Sequence, residues 1–167
     1  MKSLAPIFIL ALTAGILGGL LAVTAHYTKP LIEQNRSEAV AAELEELQEL
    51  IRARIKSLEL TARQLESCEY QIEITQETTK GYGGNMEIAM AFLGESLVGA
   101  RVLSHRETPG FADALDPDAW ISAFGTKPLS GIDTVSRATI TTRAVLETVN
   151  QRVAYQVEWL QLCLLDV

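Results

Sequence analysis

The stretch Asp133-Thr-Val-Ser-Arg-Ala-Thr139-Ile-Thr-Thr-Arg143 gathers hydroxyl groups and cations at the point where a helical pattern begins. Val145, Val149, Val153 and Val157 recur every four positions, with Leu146 and Leu160 beside them, which is the spacing of one face of an amphipathic helix. Thr139, Thr141 and Thr142 therefore crowd a helix N-terminus, where hydroxyl side chains cap orphan backbone N–H groups. The same end carries the positive pole of the helix dipole, so a phosphate placed there is stabilised. Arg143, just inside the helix, can add a charge-assisted hydrogen bond. On these residues alone two readings stay open: an anion site, or an ordinary threonine-rich cap.

Other reactive side chains are sparse. His26 and His105 stand isolated in the sequence, and no Ser-His-Asp, Cys-His or paired-carboxylate arrangement is visible, so neither a hydrolase nor a metal centre is expected. Cys68 and Cys163 fall in no metal-ligand spacing. They read either as a disulfide in an exported domain or as two small buried hydrophobes. A formal charge of −7 argues against nucleic acid and anionic membrane surfaces as partners. In such an acidic chain a bound phosphate depends on local dipoles and on selected residues such as Arg143.

The elements that must position these groups begin with an uncharged run from Ala5 to Val23, long enough to span a bilayer. A retained anchor is expected; the competing reading is a signal peptide cut near Val23-Thr24-Ala25. Lys2 lies before the run and Lys29 and Arg36 follow it, so the positive-inside rule barely discriminates orientation. Thr28-Lys-Pro30 punctuates the chain, and Val40, Leu44, Leu47, Ile51, Leu58 and Leu65 then predict a long helix. Glu43, Glu45, Glu46 and Glu49 on it read as a solvated face.

Tyr70 to Thr75 alternates and predicts a strand with Tyr70, Ile72 and Ile74 on one face. Gly81-Tyr-Gly-Gly84 marks a turn. Met86, Ile88, Met90 and Phe92 alternate with Glu87, Ala89 and Ala91 as a second strand, and Gly94-Glu-Ser96 turns the chain into a third, Leu97 to Leu103. Pro109 and Gly110 end regular structure, and Asp116-Pro-Asp118 predicts a helix start carrying Trp120, Ile121 and Phe124. Gly125 to Gly131 is a loop. The expected class is α+β: a single N-terminal transmembrane helix, then a small domain of antiparallel strands and flanking helices. The expected division is an anchor over 1–25, a membrane-proximal helical segment over 26–68 and the domain over 69–167.

Asp133-x-x-Ser136-x-Ala138-Thr139 resembles the flavinylation motif of the FMN-binding domain family, found in the Rnf electron-transport complex and the Na⁺-translocating NADH:quinone reductase. The likeness extends in order through Gly81-Tyr-x-Gly, the hairpin, His105-x-Glu-Thr-Pro-Gly110 and Trp120 to Phe124. With the single span, it is nearest to the G subunit of the Rnf type and is also like the C subunit of the quinone reductase. The resemblance implies FMN attached through its phosphate to the Thr139 hydroxyl, with Ser136, Ala138, Thr142 and Arg143 around it. It also implies that the turn of Glu107, Thr108 and Gly110 faces the isoalloxazine ring. Tyr82, Phe111 and Trp120 are candidates to cover the ring, or else core.

The implied role is electron transfer among the membrane subunits of a complex, rather than that of a stand-alone enzyme. Maturation by a flavin transferase is implied too, with the domain on the periplasmic side of a bacterial inner membrane. The alternatives are a cofactor-free structural or regulatory subunit and a sensor domain of the nitrous-oxide regulator type. Three positions depart from the pattern. Arg137 replaces the usual Gly, whose positive φ or close approach Arg does not readily supply. Gly110-Phe-Ala replaces Gly-Leu-Gly, and the segment between Phe124 and Asp133 is short.

Overall fold

The computed structural model describes residues 5–165, so Lys2 and the two C-terminal residues lie outside the described residues. Three strands form an antiparallel sheet in the order β1 (Ile72–Lys80), β2 (Asn85–Leu93) and β3 (Ser96–Ser104). The helices are α1 (Ala5–Ser57), α2 (Ala62–Leu65) and α3 (Thr139–Leu165), with short 3-10 turns between β3 and α3. The chain forms two compact units, one before Val40 and one from Val40 onward. In the first, the helical residues from Pro6 to Ala39 are exposed along their length, and the helix is long and apolar enough to cross a membrane.

β2 is the central strand, and its alternation sorts two cores. Met86, Ile88, Met90 and Phe92 pack with Ile121, Phe124, Val145 and Val149, which puts α3 on one face of the sheet. Ala89, Ala91 and Leu93 pack with Leu47 and Ile51 of α1, on the other. The pairing of β2 with β3 shifts register twice, between Glu87 and Ile88 and between Ala91 and Phe92. These bulges add twist and re-aim β3 where it leaves the sheet. Ile74 packs on the α1 face as its spacing predicts, but Tyr70 belongs to a 3-10 turn over Cys68–Tyr70, so the strand starts later than expected.

Three other expectations are corrected. Pro30 does not interrupt the helix but lies inside α1. Only one N–H is missing there, and the following Leu, Glu, Gln, Arg and Ala residues favour helix. The helix ends at Ser57 rather than running to Leu65. Glu59 takes φ 52°, its N–H donates to the Lys56 carbonyl, and the Leu60 N–H reaches back to the Ile55 carbonyl at 3.3 Å. These are the two bonds of a Schellman stop, with Ile55 and Leu60 packed on the same core.

After Asp116-Pro-Asp118 no α-helix forms, only a 3-10 turn over Trp120–Ala123. The run is too short to repay helix nucleation before Gly125 turns it at φ 84°. At Gly125 an added Cβ would stand 1.9 Å from the Val98 carbonyl oxygen, so the loop lies directly against β3. Burial of both Ile121 and Phe124 holds this tight path in place.

Candidate functional site

Four short segments meet beside the start of α3: the Gly81–Gly84 turn, the chain leaving β3 at His105, the Phe111 turn and residues 135–141. Their junction is organised by Glu107, which is only 7% exposed. Its Oε1 accepts the Gly83 N–H at 2.9 Å and its Oε2 accepts the Thr141 hydroxyl at 2.8 Å. One carboxylate thus ties the glycine turn to the first turn of the helix. The glycines make this approach possible. A Cβ on Gly81 would fall 2.3 Å from Glu107 Oε1, and one on Gly83 would fall 2.1 Å from the Arg106 carbonyl oxygen. The Glu107 N–H itself donates to His105 Nδ1 at 3.2 Å.

Residues 133–142 are pinned from both sides. Trp120 Nε1 donates to the Asp133 carbonyl at 2.7 Å, and the Val135 N–H donates to Thr142 Oγ1 at 3.1 Å. Between these anchors the Ala138 N–H closes a turn on the Val135 carbonyl at 3.1 Å. Arg137 occupies the third position of that turn with φ 72°. A turn with positive φ at its third residue ordinarily takes Gly there. Arg137 thus takes the positive φ usual for Gly, at the conformational cost that its side chain carries there. The hydrogen bonds on either side over-determine the turn and hold Arg in the left-handed region.

The cleft that results has a volume of about 530 Å³. Glu107, Thr108, Ala138, Thr139 and Thr141 supply its polar and backbone lining, Arg137 stands among them, and Tyr82, Phe111 and Ile140 line the remainder. Those three apolar side chains are 74%, 44% and 58% exposed, far more than isolated core residues would be. Thr139 is half-buried and donates a 3.3 Å bond to the Val135 carbonyl. Among the described residues no backbone group accepts the N–H of Thr139, Ile140 or Thr141, the first three positions of α3. Those donors open at the helix end where the dipole favours an anion.

The structure brings six of the expected site residues to this cleft, namely Tyr82, Glu107, Thr108, Phe111, Ala138 and Thr139. Thr142 is fully buried, donates to the Ala138 carbonyl at 2.9 Å, and serves as an internal brace. Ser136, Gly110 and Arg143 are outside the lining, with Gly110 at φ 85°. Trp120 braces the loop and stacks edge-on against Phe124 at 5.1 Å, away from the cleft. Sequence reasoning missed Ile140 and the Glu107–Thr141 bond, which joins residues 34 apart. An Ile between two threonines at the helix start was the one local signal for the former.

Cys68 and Cys163 are joined in a disulfide, with a Cα–Cα separation of 6.2 Å that lies in the normal range. It ties the turn before β1 to the last part of α3.

Residues 81–154 match the FMN-binding domain family. Relatives include the G subunit of the ion-translocating oxidoreductase complex of Cereibacter sphaeroides, 37% identical over 91 residues that cover 44% of this chain and 42% of the relative. Its counterpart in the complex of Vibrio atlanticus is 34% identical over 92 residues, covering 45% and 44%. That of Pseudoalteromonas atlantica is 28% identical over 182 residues, covering 88% and 85%. The chain thus spans less than half the length of the first two relatives.

Proposed function

We propose, from the premise that residues 81–154 of this chain belong to the FMN-binding domain family, that it is a membrane-anchored flavoprotein subunit that passes electrons within a membrane complex. The observation that carries this reading is the cleft at the start of α3. Thr139 offers a half-buried hydroxyl there beside free backbone N–H groups, between exposed aromatic walls and a buried polar floor. Its volume lies in the range of small-ligand sites. Aromatic and apolar walls suit a flat ring, and the N–H groups suit a phosphate.

In this reading the Thr139 hydroxyl oxygen would be esterified to the flavin phosphate. A flavin transferase would form that O–P bond by breaking the pyrophosphate bond of a flavin dinucleotide donor, with the nucleoside monophosphate as the leaving group and the hydroxyl proton lost to solvent. The N–H groups of Ile140 and Thr141 hold the phosphate. Tyr82 and Phe111 flank the ring system, while Thr108 faces it, and Glu107 fixes the cleft by holding the glycine turn to α3. Ser136, Ala138, Gly110, Thr142 and Arg143 support the site through the two turns and the helix start. The bound flavin supplies the electron-transfer chemistry, and the protein supplies position, electrostatics and exclusion of water.

The division into anchor (1–25), membrane-proximal segment (26–68) and flavin domain (69–167) is then a functional one. Residues 40–57 of the middle segment furnish the helix that packs under the sheet. The disulfide supports a domain on the periplasmic side, because such bonds persist in oxidising compartments. Partners are other membrane subunits of the complex, as the names of the relatives suggest.

The test is flavin fluorescence in a denaturing gel after co-production with an active flavin transferase. The full chain should fluoresce and Thr139→Ala should be dark. A dark wild-type chain beside a labelled control substrate favours the cofactor-free alternative.

A further inference from the structure

The charged groups of the cleft are not equivalent. Glu107 is satisfied on both oxygens by donors of the fold itself, Gly83 N–H and the Thr141 hydroxyl. Its charge is therefore spent internally. Arg137 is exposed, lines the same cleft and, among the described residues, has no hydrogen-bond or ion-pair partner. It sits two positions before Thr139, beside the open N–H groups of the first turn of α3. Its backbone is held at φ 72°, a conformation that is strained for a side chain and natural for Gly. A strained residue retained at the lip of a cleft points to a use for its side chain.

We propose that Arg137 is the phosphate-recognising cation of this site and makes it selective for a phosphorylated flavin over the dephosphorylated one. This rests on the cleft being a flavin site, as argued above. The guanidinium offers a planar fork of donors suited to phosphate oxygens. Together with the N–H groups of α3 it concentrates positive potential at the Thr139 hydroxyl, in a chain whose net charge is −7. The same charge would repel no part of the neutral ring system, so it acts on the phosphate alone.

The test uses the full chain in detergent with Thr139→Ala in every sample, so that binding is reversible. FMN and riboflavin are titrated against it with Arg137 intact and with Arg137→Gln, which keeps a side chain at the strained position and removes the charge. With Arg137 intact, FMN should bind roughly five- to ten-fold more tightly than riboflavin, and added salt should erode that preference. In Arg137→Gln the preference should fall by most of that factor, while riboflavin affinity moves little. Equal preference in both proteins would overturn the role of Arg137 and leave the cleft as a flavin site. Failure of both ligands to bind either protein would overturn the cleft reading, and this inference with it.

Discussion

The two faces of the sheet are both buried, yet they are built from opposite materials. Toward α3, β2 presents Met86, Ile88, Met90 and Phe92, large side chains that fill a core closed by 3-10 turns and helix. Toward α1 it presents Ala89 and Ala91, small side chains that let Leu47 and Ile51 reach the backbone. At Gly99 an added Cβ would stand 2.8 Å from Leu50, so the helix lies directly on β3 as well. The first face ends in the cleft: Met86 packs beneath Gly81, within 3.1 Å of where a Cβ would be, and Gly81 opens the turn that Glu107 holds. The second ends in ion pairs, with Arg101 bridging Glu43 and Glu46. One face shapes a site and the other seats the domain on its helix. Residues of similar burial should therefore differ in what their loss does.

The largest effects separate the two faces directly. Met86→Ala and Leu47→Ala each remove a fully buried side chain, and each should destabilise by about 2–5 kcal/mol. Only Met86→Ala should also lower flavin loading in the protein that remains folded, because it undermines the Gly81 turn. Chemical denaturation paired with flavin stoichiometry checks this. Equal loss of flavin in both variants would erase the distinction between the faces.

The disulfide crosses between them, since Cys68 precedes β1 beside the α1-side core and Cys163 lies on α3. Replacing both cysteines with Ser opens a link between residues 95 apart in sequence. It should cost about 2–4 kcal/mol, seen as a lower melting temperature. Flavin loading at low temperature should survive, because the bridge lies at the far end of α3 from the cleft.

A smaller and more local effect is expected at Glu107. Glu107→Ala leaves the Gly83 N–H and the Thr141 hydroxyl without their acceptor and should cost about 1–3 kcal/mol. The loss of flavin should exceed that of Met86→Ala at equal stability, because the clamp itself is gone.

The smallest effect belongs to the α1 face. Burial first, and then repulsion from Glu46, raise the Glu43 carboxyl above its ordinary 4.5, with Arg101 opposing. Just above pH 4.5 the folded state therefore holds a proton that the unfolded chain has lost. Stability contributed by this group is present below that pH and is lost as pH rises through the raised value. Glu43→Gln should flatten that stretch of the stability profile and leave the flavin spectrum unchanged.

Much of this was legible in residue patterns. The alternation of β2 gave its strand and both faces, and the four-residue valine spacing gave α3. The expected threonine caps are not formed among the described residues: the hydroxyls of Thr139, Thr141 and Thr142 donate to Val135, Glu107 and Ala138 and leave the first N–H groups of the helix open. What escaped depended on contacts distant in sequence. The positive φ at Arg137 is imposed by Trp120 and Thr142 acting on Asp133 and Val135, which no local preference of Arg could reveal. The helix stop at Glu59 lacks the usual Gly and is secured by Ile55 and Leu60 on the core. After Asp116 the run before Gly125 was too short for an α-helix, and burial of Ile121 and Phe124 holds the tight turn that forms instead. The disulfide needed a distance, and sequence supplies none.

The central claim is that the Thr139 hydroxyl carries the flavin phosphate, and the most direct measurement is peptide mass mapping of the full chain after co-production with an active flavin transferase. The account predicts a mass increase of FMN less one water on the peptide containing residues 138–143, with fragment ions placing it on Thr139 rather than Thr141 or Thr142. An unmodified peptide beside a fully modified control substrate, or a flavin mapped to another residue, would contradict it.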